Sequence, residues 1–312
     1  MRKQVTPLKR IRSGCLILMA AVLFICLRGF VFRPASAYPG VHFNQGKNAA
    51  WIGVEWVNEA HDAQAIAALA DDLAAKQIVY VFAYVSYLKP DGSFNQTFGH
   101  ASDFIRSLKA DQPGLKVLAW IGLPLGYVFL SDPKVRERVV AFASDRLNAA
   151  LFDGIQYDAE PTVDGDPNFI ALLDETRQAI GPRPILSIAA RTTWPILPDA
   201  PWTHAFGGIF WSASYYKQLA RYVDQIALMT YDSGLGQPVL YRLWTRFQVI
   251  QTSNALAGSP VELLIGVPTS EEESPSHHPA AENITSGLQG VIDGLNDYEA
   301  QPGAVTGVAI YP

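Results

Sequence analysis

Two acidic residues set two apart in an apolar run are the first groups in this sequence able to do chemistry. The run reads Asp153-Gly154-Ile155-Gln156-Tyr157-Asp158-Ala159-Glu160. As a β-strand, it alternates so that Gln156, Asp158 and Glu160 share one face while Tyr157 and Ala159 share the other. The small Ala159 suits a face packed against helices, which turns the polar set inward. Two carboxylates that close cannot both ionise cheaply, so one pKa rises and a carboxylic acid becomes available near neutral pH. That is the requirement for a general acid that protonates a leaving group.

Such a strand needs a scaffold, and the rest of the chain supplies the pattern of one. Eight short β-branched or aromatic runs alternate with helical stretches: 51–56, 77–86, 115–122, 153–160, 184–190, 224–231, 261–268 and 306–311. Ile66, Leu69 and Leu73 share a helical face, Ser131-Asp132-Pro133 and Asp166-Pro167 open helices, and Gly181-Pro182 closes one. This alternation predicts an α/β protein, a (β/α)8 TIM barrel over residues 51–312. The sequence stops at Pro312 just after the eighth run, so either the last helix is missing and the lead-in at residues 38–50 is expected to cover the gap, or the sequence is truncated. Catalytic residues are then expected at the C-terminal ends of the strands.

Charge is divided unevenly along the 312 residues. The net charge is −5, but residues 1–37 carry seven Lys and Arg and no acid, leaving 17 basic against 29 acidic residues afterwards, a net of −12. An acidic body has no electrostatic footprint for nucleic acid. Five positive charges in the first twelve residues precede an apolar run from Cys15 to Leu27, and Ala35-Ser36-Ala37 offers a small-x-small cleavage site. Residues 1–37 thus read as a signal peptide or an N-terminal membrane anchor, with membrane contact through residues 1–33 if uncleaved and the remainder exported. Both cysteines, Cys15 and Cys26, fall in this segment, so a thiol nucleophile is excluded from the body.

The motifs resemble those of glycoside hydrolase family 18, the chitinases and endo-β-N-acetylglucosaminidases. The family's fourth-strand signature, Asp-Gly-x-Asp-x-Asp-x-Glu, is met by Asp153, Gly154, Asp158 and Glu160, with Gln156 in place of the middle Asp. Its Met-x-Tyr-Asp is Met229-Thr230-Tyr231-Asp232, its Gly-x-Pro is Gly266-Val267-Pro268, and its third-strand Ser-x-Gly-Gly survives as Trp120-Ile121-Gly122-Leu123. Tyr311 stands where the eighth strand usually ends in Trp.

The resemblance implies cleavage of β-1,4-linked N-acetylglucosamine glycans without an enzyme nucleophile, the substrate's 2-acetamido oxygen attacking the anomeric carbon with net retention. Glu160 would be the acid and base, Asp158 would hold the acetamido N–H, Tyr231 would donate to the acetamido oxygen, and Asp232 would hold sugar hydroxyls. Met229, Gln156 and Trp120 complete the expected substrate site. No metal or cofactor is implied, the α+β insertion of some chitinases is absent, and a monomer is expected. With Gln156 and Trp120 replacing an ionisable underlayer, Asp158 is expected to ionise more readily than in the family, with slower turnover. Of the aromatic residues near strand ends, Trp56, Tyr84, Tyr127, Trp194, Trp202, Trp211 and Tyr311, the sugar platforms are expected at Trp56 and Tyr311, with Tyr84 beside them.

Two rival readings use the same residues. One is a carbohydrate-binding barrel of the same family that has lost turnover. The other is a two-carboxylate glycosidase pairing Glu160 with Glu262 or Glu271 of the seventh strand region, neither of which falls at the strand's end. His277-His278, in a Pro-Ser loop, lacks the helical spacing or partner carboxylates of a zinc site and reads as a solvated loop.

Overall fold

The computed structural model describes residues 45–193 and 210–312. The expected signal or anchor segment, together with Trp194 and Trp202, lies outside the described residues. No helix among the described residues is long and apolar enough to cross a membrane.

Eight parallel strands close into one barrel in sequential order, the (β/α)8 TIM barrel expected from the sequence. They are β1 (Asn48–Ile52), β2 (Ile78–Tyr87), β3 (Lys116–Pro124), β4 (Gly154–Glu160), β5 (Ile185–Ala190), β6 (Gln225–Met229), β7 (Glu262–Pro268) and β8 (Val305–Tyr311). The helices are α1 (Glu55–Asn58), α2 (Ala63–Ala75), α3 (Ala101–Asp111), α4 (Pro133–Ala150), α5 (Pro167–Ile180), α6 (Ala213–Leu219), α7 (Pro238–Ala255) and α8 (Ile284–Leu295). β8 is the last element, and no strand interrupts the connection from β7 to α8, so no α+β module stands there.

Helix starts follow their side-chain chemistry. Asp132 and Asp166 each precede a Pro at the first helical position and accept a hydrogen bond from Lys134 N and Asn168 N respectively. α5 stops at Gly181, whose φ of 75° takes the chain out of the helix. Outside the barrel, α2 presents Ile66, Ala70 and Leu73 to the strands. Inside it, Trp51, Phe82, Leu118 and Leu264 fill the axis.

β1 begins three residues earlier than expected and ends four earlier. Asn48, Ala49 and Ala50 have weak strand preferences, but pairing with β2 on one side and β8 on the other fixes them as strand. The chain then leaves the sheet at Gly53, and the residues expected to finish the strand form α1 instead. Asn48 Oδ1 accepts from Val308 N and, just before β1, Gln45 Nε2 donates to Val305 O, so this part of the chain borders β8 directly.

Candidate active site

Register places the chemistry. β4 sits between β3 and β5, with Gln156 opposite Trp120 and Ser187, and Asp158 opposite Gly122. Two glycines allow this arrangement through close backbone approach. A Cβ on Gly154 would lie 2.2 Å from Ile185 O, and one on Gly266 would lie 2.5 Å from Leu228 O and 3.1 Å from the Tyr231 ring. Asp153 has no part in the chemistry. Its carboxylate accepts from Val117 N at 2.8 Å and pairs with Lys109 at 2.6 Å, pinning the start of β4.

Tyr157 points away from the axis and bonds Thr176 of α5 at 3.0 Å, so the polar set does face inward. Asp158 and Glu160 line a cleft of about 300 Å³ at the C-terminal ends of the strands, together with Met229, Tyr231, Asp232 and Tyr311. Trp120 Nε1 donates to Asp158 Oδ2 at 3.2 Å. The other oxygen, Asp158 Oδ1, is buried and has no hydrogen-bond partner among the described residues. A buried oxygen in that condition is costly unless something arriving in the cleft bonds it.

Burial, and next the neighbouring Glu160 charge, raise the pKa of Asp158 to about 7, while the Trp120 N–H opposes the shift. The neutral Gln156 beneath adds no charge to this shift, which comes from taking the carboxyl out of water and from Glu160. Glu160 is also raised, first by burial, with Arg191 working against this and Asp232 adding to it. Its side chain stands at the mouth with 48% of its surface open, so solvent moderates the effect. Tyr231 is raised well above its usual value by burial and by Asp158, which keeps its hydroxyl a proton donor at physiological pH.

Aromatic rings wall this pair. Tyr231 and Tyr311 stack in parallel, 4.5 Å apart with 6° between planes, and Trp51 meets both edge-on. Tyr84 stands behind Trp120, 4.8 Å away and edge-on, and does not line the cleft.

Two further sequence-based placements, Gln156 and Trp56, are corrected here. Gln156 is completely buried beneath Asp158, its Oε1 accepting from Trp51 Nε1 at 2.6 Å and its Nε2 donating to Ser187 Oγ at 3.3 Å, so it cannot reach a sugar. Trp56 belongs to α1 and stacks on His61 at 4.4 Å and near Phe104 at 5.7 Å, outside the barrel. Trp211 is core, packed among Tyr215 and Tyr216. Tyr127, in contrast, is 45% exposed on the loop after β3, close to β4 through the 2.7 Å bond from Leu125 N to Glu160 O.

The sequence reading missed Arg191, Trp244, and the surroundings of His277. Arg191 follows β5 directly, and its Nη1 lies 3.6 Å from Glu160 Oε1. A cation immediately after a barrel strand was the available signal. His277 is buried, not solvated, and faces Asp232 and Glu282. His278 alone is loop-like, paired with Glu273 at 2.5 Å.

Comparison with known proteins bears on this arrangement. The sequence matches the family model described as glycosyl hydrolases family 18 over residues 55–291. The chain belongs to family 18. Among solved structures, the family 18 chain is similar to the spore cortex-lytic enzyme SleL of Bacillus megaterium QM B1551, with 12% identity and a TM-score of 0.57 over 87% of this chain and 71% of that one. It is also similar to the chitinase RmChi1 of Rhizomucor miehei, with 15% identity and a TM-score of 0.56 over 85% and 93%. A third similar structure is a chitinase from Cycas revoluta in complex with (GlcNAc)3, with 18% identity and a TM-score of 0.50 over 71% and 68%. A search of curated protein sequences found no match. At these identities the structural similarity speaks for the fold, and family membership supports a glycoside hydrolase.

Arg191 offers a test of the electrostatics of this family 18 cleft. Its positive charge holds Glu160 down against burial. Replacing it with Leu should raise the Glu160 pKa further, so the protonated acid persists to higher pH and the alkaline limb of the kcat/KM profile moves up. A limb that stays in place or moves down contradicts the assigned coupling.

Proposed function

We propose that this protein hydrolyses β-1,4-linked N-acetylglucosamine glycans by substrate-assisted, retaining catalysis. The observation that carries the reading is Asp158 Oδ1, a buried carboxylate oxygen with no partner among the described residues, in a cleft that Tyr231 and Tyr311 wall on one side. A substrate N–H is the group that would satisfy it, and the 2-acetamido group supplies one beside the anomeric carbon.

The roles follow from protonation. Both acids are raised and lie side by side, so they titrate as a pair, and the proposed working state is the one with the proton on Glu160 and the charge on Asp158. Glu160, at the open mouth, protonates the glycosidic oxygen and later removes a proton from the incoming water. Asp158 orients the acetamido group and offsets the positive charge as the oxazolinium ring forms. Tyr231, held neutral, donates to the acetamido oxygen and fixes its line of attack. Tyr311 and Tyr231 offer ring faces and edges to the pyranose, and Asp232 accepts from its hydroxyls.

The expected family-style ionisable underlayer is replaced by a neutral chain. Gln156 leads through Ser187 Oγ to Gln225 Oε1 at 3.0 Å, and Gln225 reaches Glu262 at 3.3 Å. Directly below Asp158, proton exchange therefore meets an amide in place of an acid, which favours slow turnover. The two-carboxylate alternative finds little support: Glu262 opens β7 at the far end of the barrel and pairs there with Lys47.

Chromophore release from an aryl β-chitobioside decides between enzyme and binding barrel. Turnover by the wild type is expected. Saturable binding of the glycoside without release would favour the non-catalytic reading.

A further inference from the structure

Three side chains from two loops, Asp232 on one and His277 and Glu282 on the other, meet beside the cleft, apart from the acid pair. His277 Nδ1 lies 3.3 Å from Glu282 Oε2 and 3.6 Å from Asp232 Oδ1. One donor atom from each residue falls within 4.8 Å of the other two. Asp232 is held there in a left-handed conformation, φ 55°, at the end of β6, whereas His277 and Glu282 come from the connection between β7 and α8.

The hydrogen bonds around this cluster leave it short of positive charge. His277 Nε2 is 3.2 Å from the carbonyl oxygen of Ser270, which can only accept, so Nε2 carries the hydrogen. In the neutral ring Nδ1 is then a lone pair turned toward two carboxylates. His277 has a side-chain exposure of 7% and Glu282 of 0%, so water does not reach between these two, whereas Asp232, 53% exposed, stands on the cleft side. Among the described residues no Lys or Arg pairs with either carboxylate. Glu282 is meanwhile fixed in orientation: its Oε1 accepts from Ser233 Oγ at 2.7 Å, Ser233 N at 3.1 Å and Leu235 N at 3.3 Å. A histidine whose second nitrogen donates to a backbone carbonyl, beside a carboxylate held by its own donors, is the support typically found around metal ligands.

We propose that Asp232, His277 and Glu282 form a binding site for a divalent cation of the zinc type. One imidazole nitrogen and two carboxylate oxygens suit zinc, and metal-to-ligand distances of about 2.0–2.1 Å in a tetrahedron put ligand atoms about 3.3 Å apart. The observed 3.3 and 3.6 Å separations match that spacing. Two negative charges are neutralised by one dication. Asp232 and the adjacent Ser233 line the cleft, so the remaining coordination position opens toward it, available to water or a sugar hydroxyl. The cation would tie the loops after β6 and β7 together, and this inference does not depend on the glycosidase reading.

The test is titration of chelator-treated full-length protein with zinc alone, followed by isothermal calorimetry. One saturable site per chain is expected, weakened at least about tenfold in His277→Gln and in Asp232→Asn, and unchanged in His278→Gln. Should the variants fail to fold, the visible spectrum of cobalt(II) added to the wild type gives a second reading, with an intense tetrahedral band expected. Absence of stoichiometric zinc binding, binding that survives His277→Gln, binding lost with His278→Gln, or an aqueous-like cobalt spectrum would each overturn the proposal.

Discussion

Glu160→Gln is expected to lower kcat on a β-1,4-linked N-acetylglucosamine tetramer by about 10²–10⁴-fold, the usual contribution of a general acid and base. The amide keeps the size and hydrogen-bonding shape of the side chain, so substrate binding should persist. What it cannot do is deliver a proton to an alkoxide leaving group. The loss should shrink on aryl glycosides, whose leaving groups need less protonation. Replacing the acid also removes the nearest like charge from Asp158, whose pKa is raised by burial first and by Glu160 second. A tetramer cleaved at the wild-type rate by the variant would remove Glu160 from the chemistry.

Asp158→Asn should produce opposite effects on activity and stability. Activity should fall by roughly 10²–10³-fold, because a neutral amide cannot offset the charge of the oxazolinium ring. Stability should rise at neutral pH. Folding moves the Asp158 pKa from 3.8 up to about 7, so the folded state resists ionisation where the unfolded chain ionises freely. Stability on account of this group is therefore full below pH 3.8, declines as pH rises toward 7, and stays reduced above it. At about 1.4 kcal/mol per pH unit the penalty is on the order of 4 kcal/mol at most. Asn, of the same shape and uncharged, should flatten that slope and raise the melting temperature at pH 8 by several degrees. Equal melting temperatures for variant and wild type at pH 8 would show that Asp158 carries no such strain.

The parts of this protein legible in its sequence are those set by local pattern. Alternation along 153–160 placed Asp158 and Glu160 inside the barrel because each strand residue's face follows from its neighbours, and Asp-Pro pairs marked α4 and α5 because capping is local. What stayed hidden depends on barrel closure. Trp51 bonds Gln156 across 105 residues, and His277 and Glu282 meet Asp232 and Ser233 only once the loops after β6 and β7 are neighbours. Trp56 misled because WIGVEW alternates like a strand, whereas pairing with β2 and β8 ends β1 at Ile52. Burial of Asp158 was likewise a property of the closed aromatic wall, invisible in a list of neighbours along the chain.

The central claim is that the substrate's own acetamido oxygen, positioned by Asp158 and Tyr231, is the nucleophile. Measuring kcat on aryl β-chitobiosides whose N-acetyl group carries zero, one, two or three fluorines tests it most directly, since fluorine drains that oxygen of nucleophilicity while leaving the glycosidic bond in place. A steep, monotonic fall across the series is the predicted result. Rates that stay level across all four substrates would contradict it and point to a nucleophile supplied by the protein.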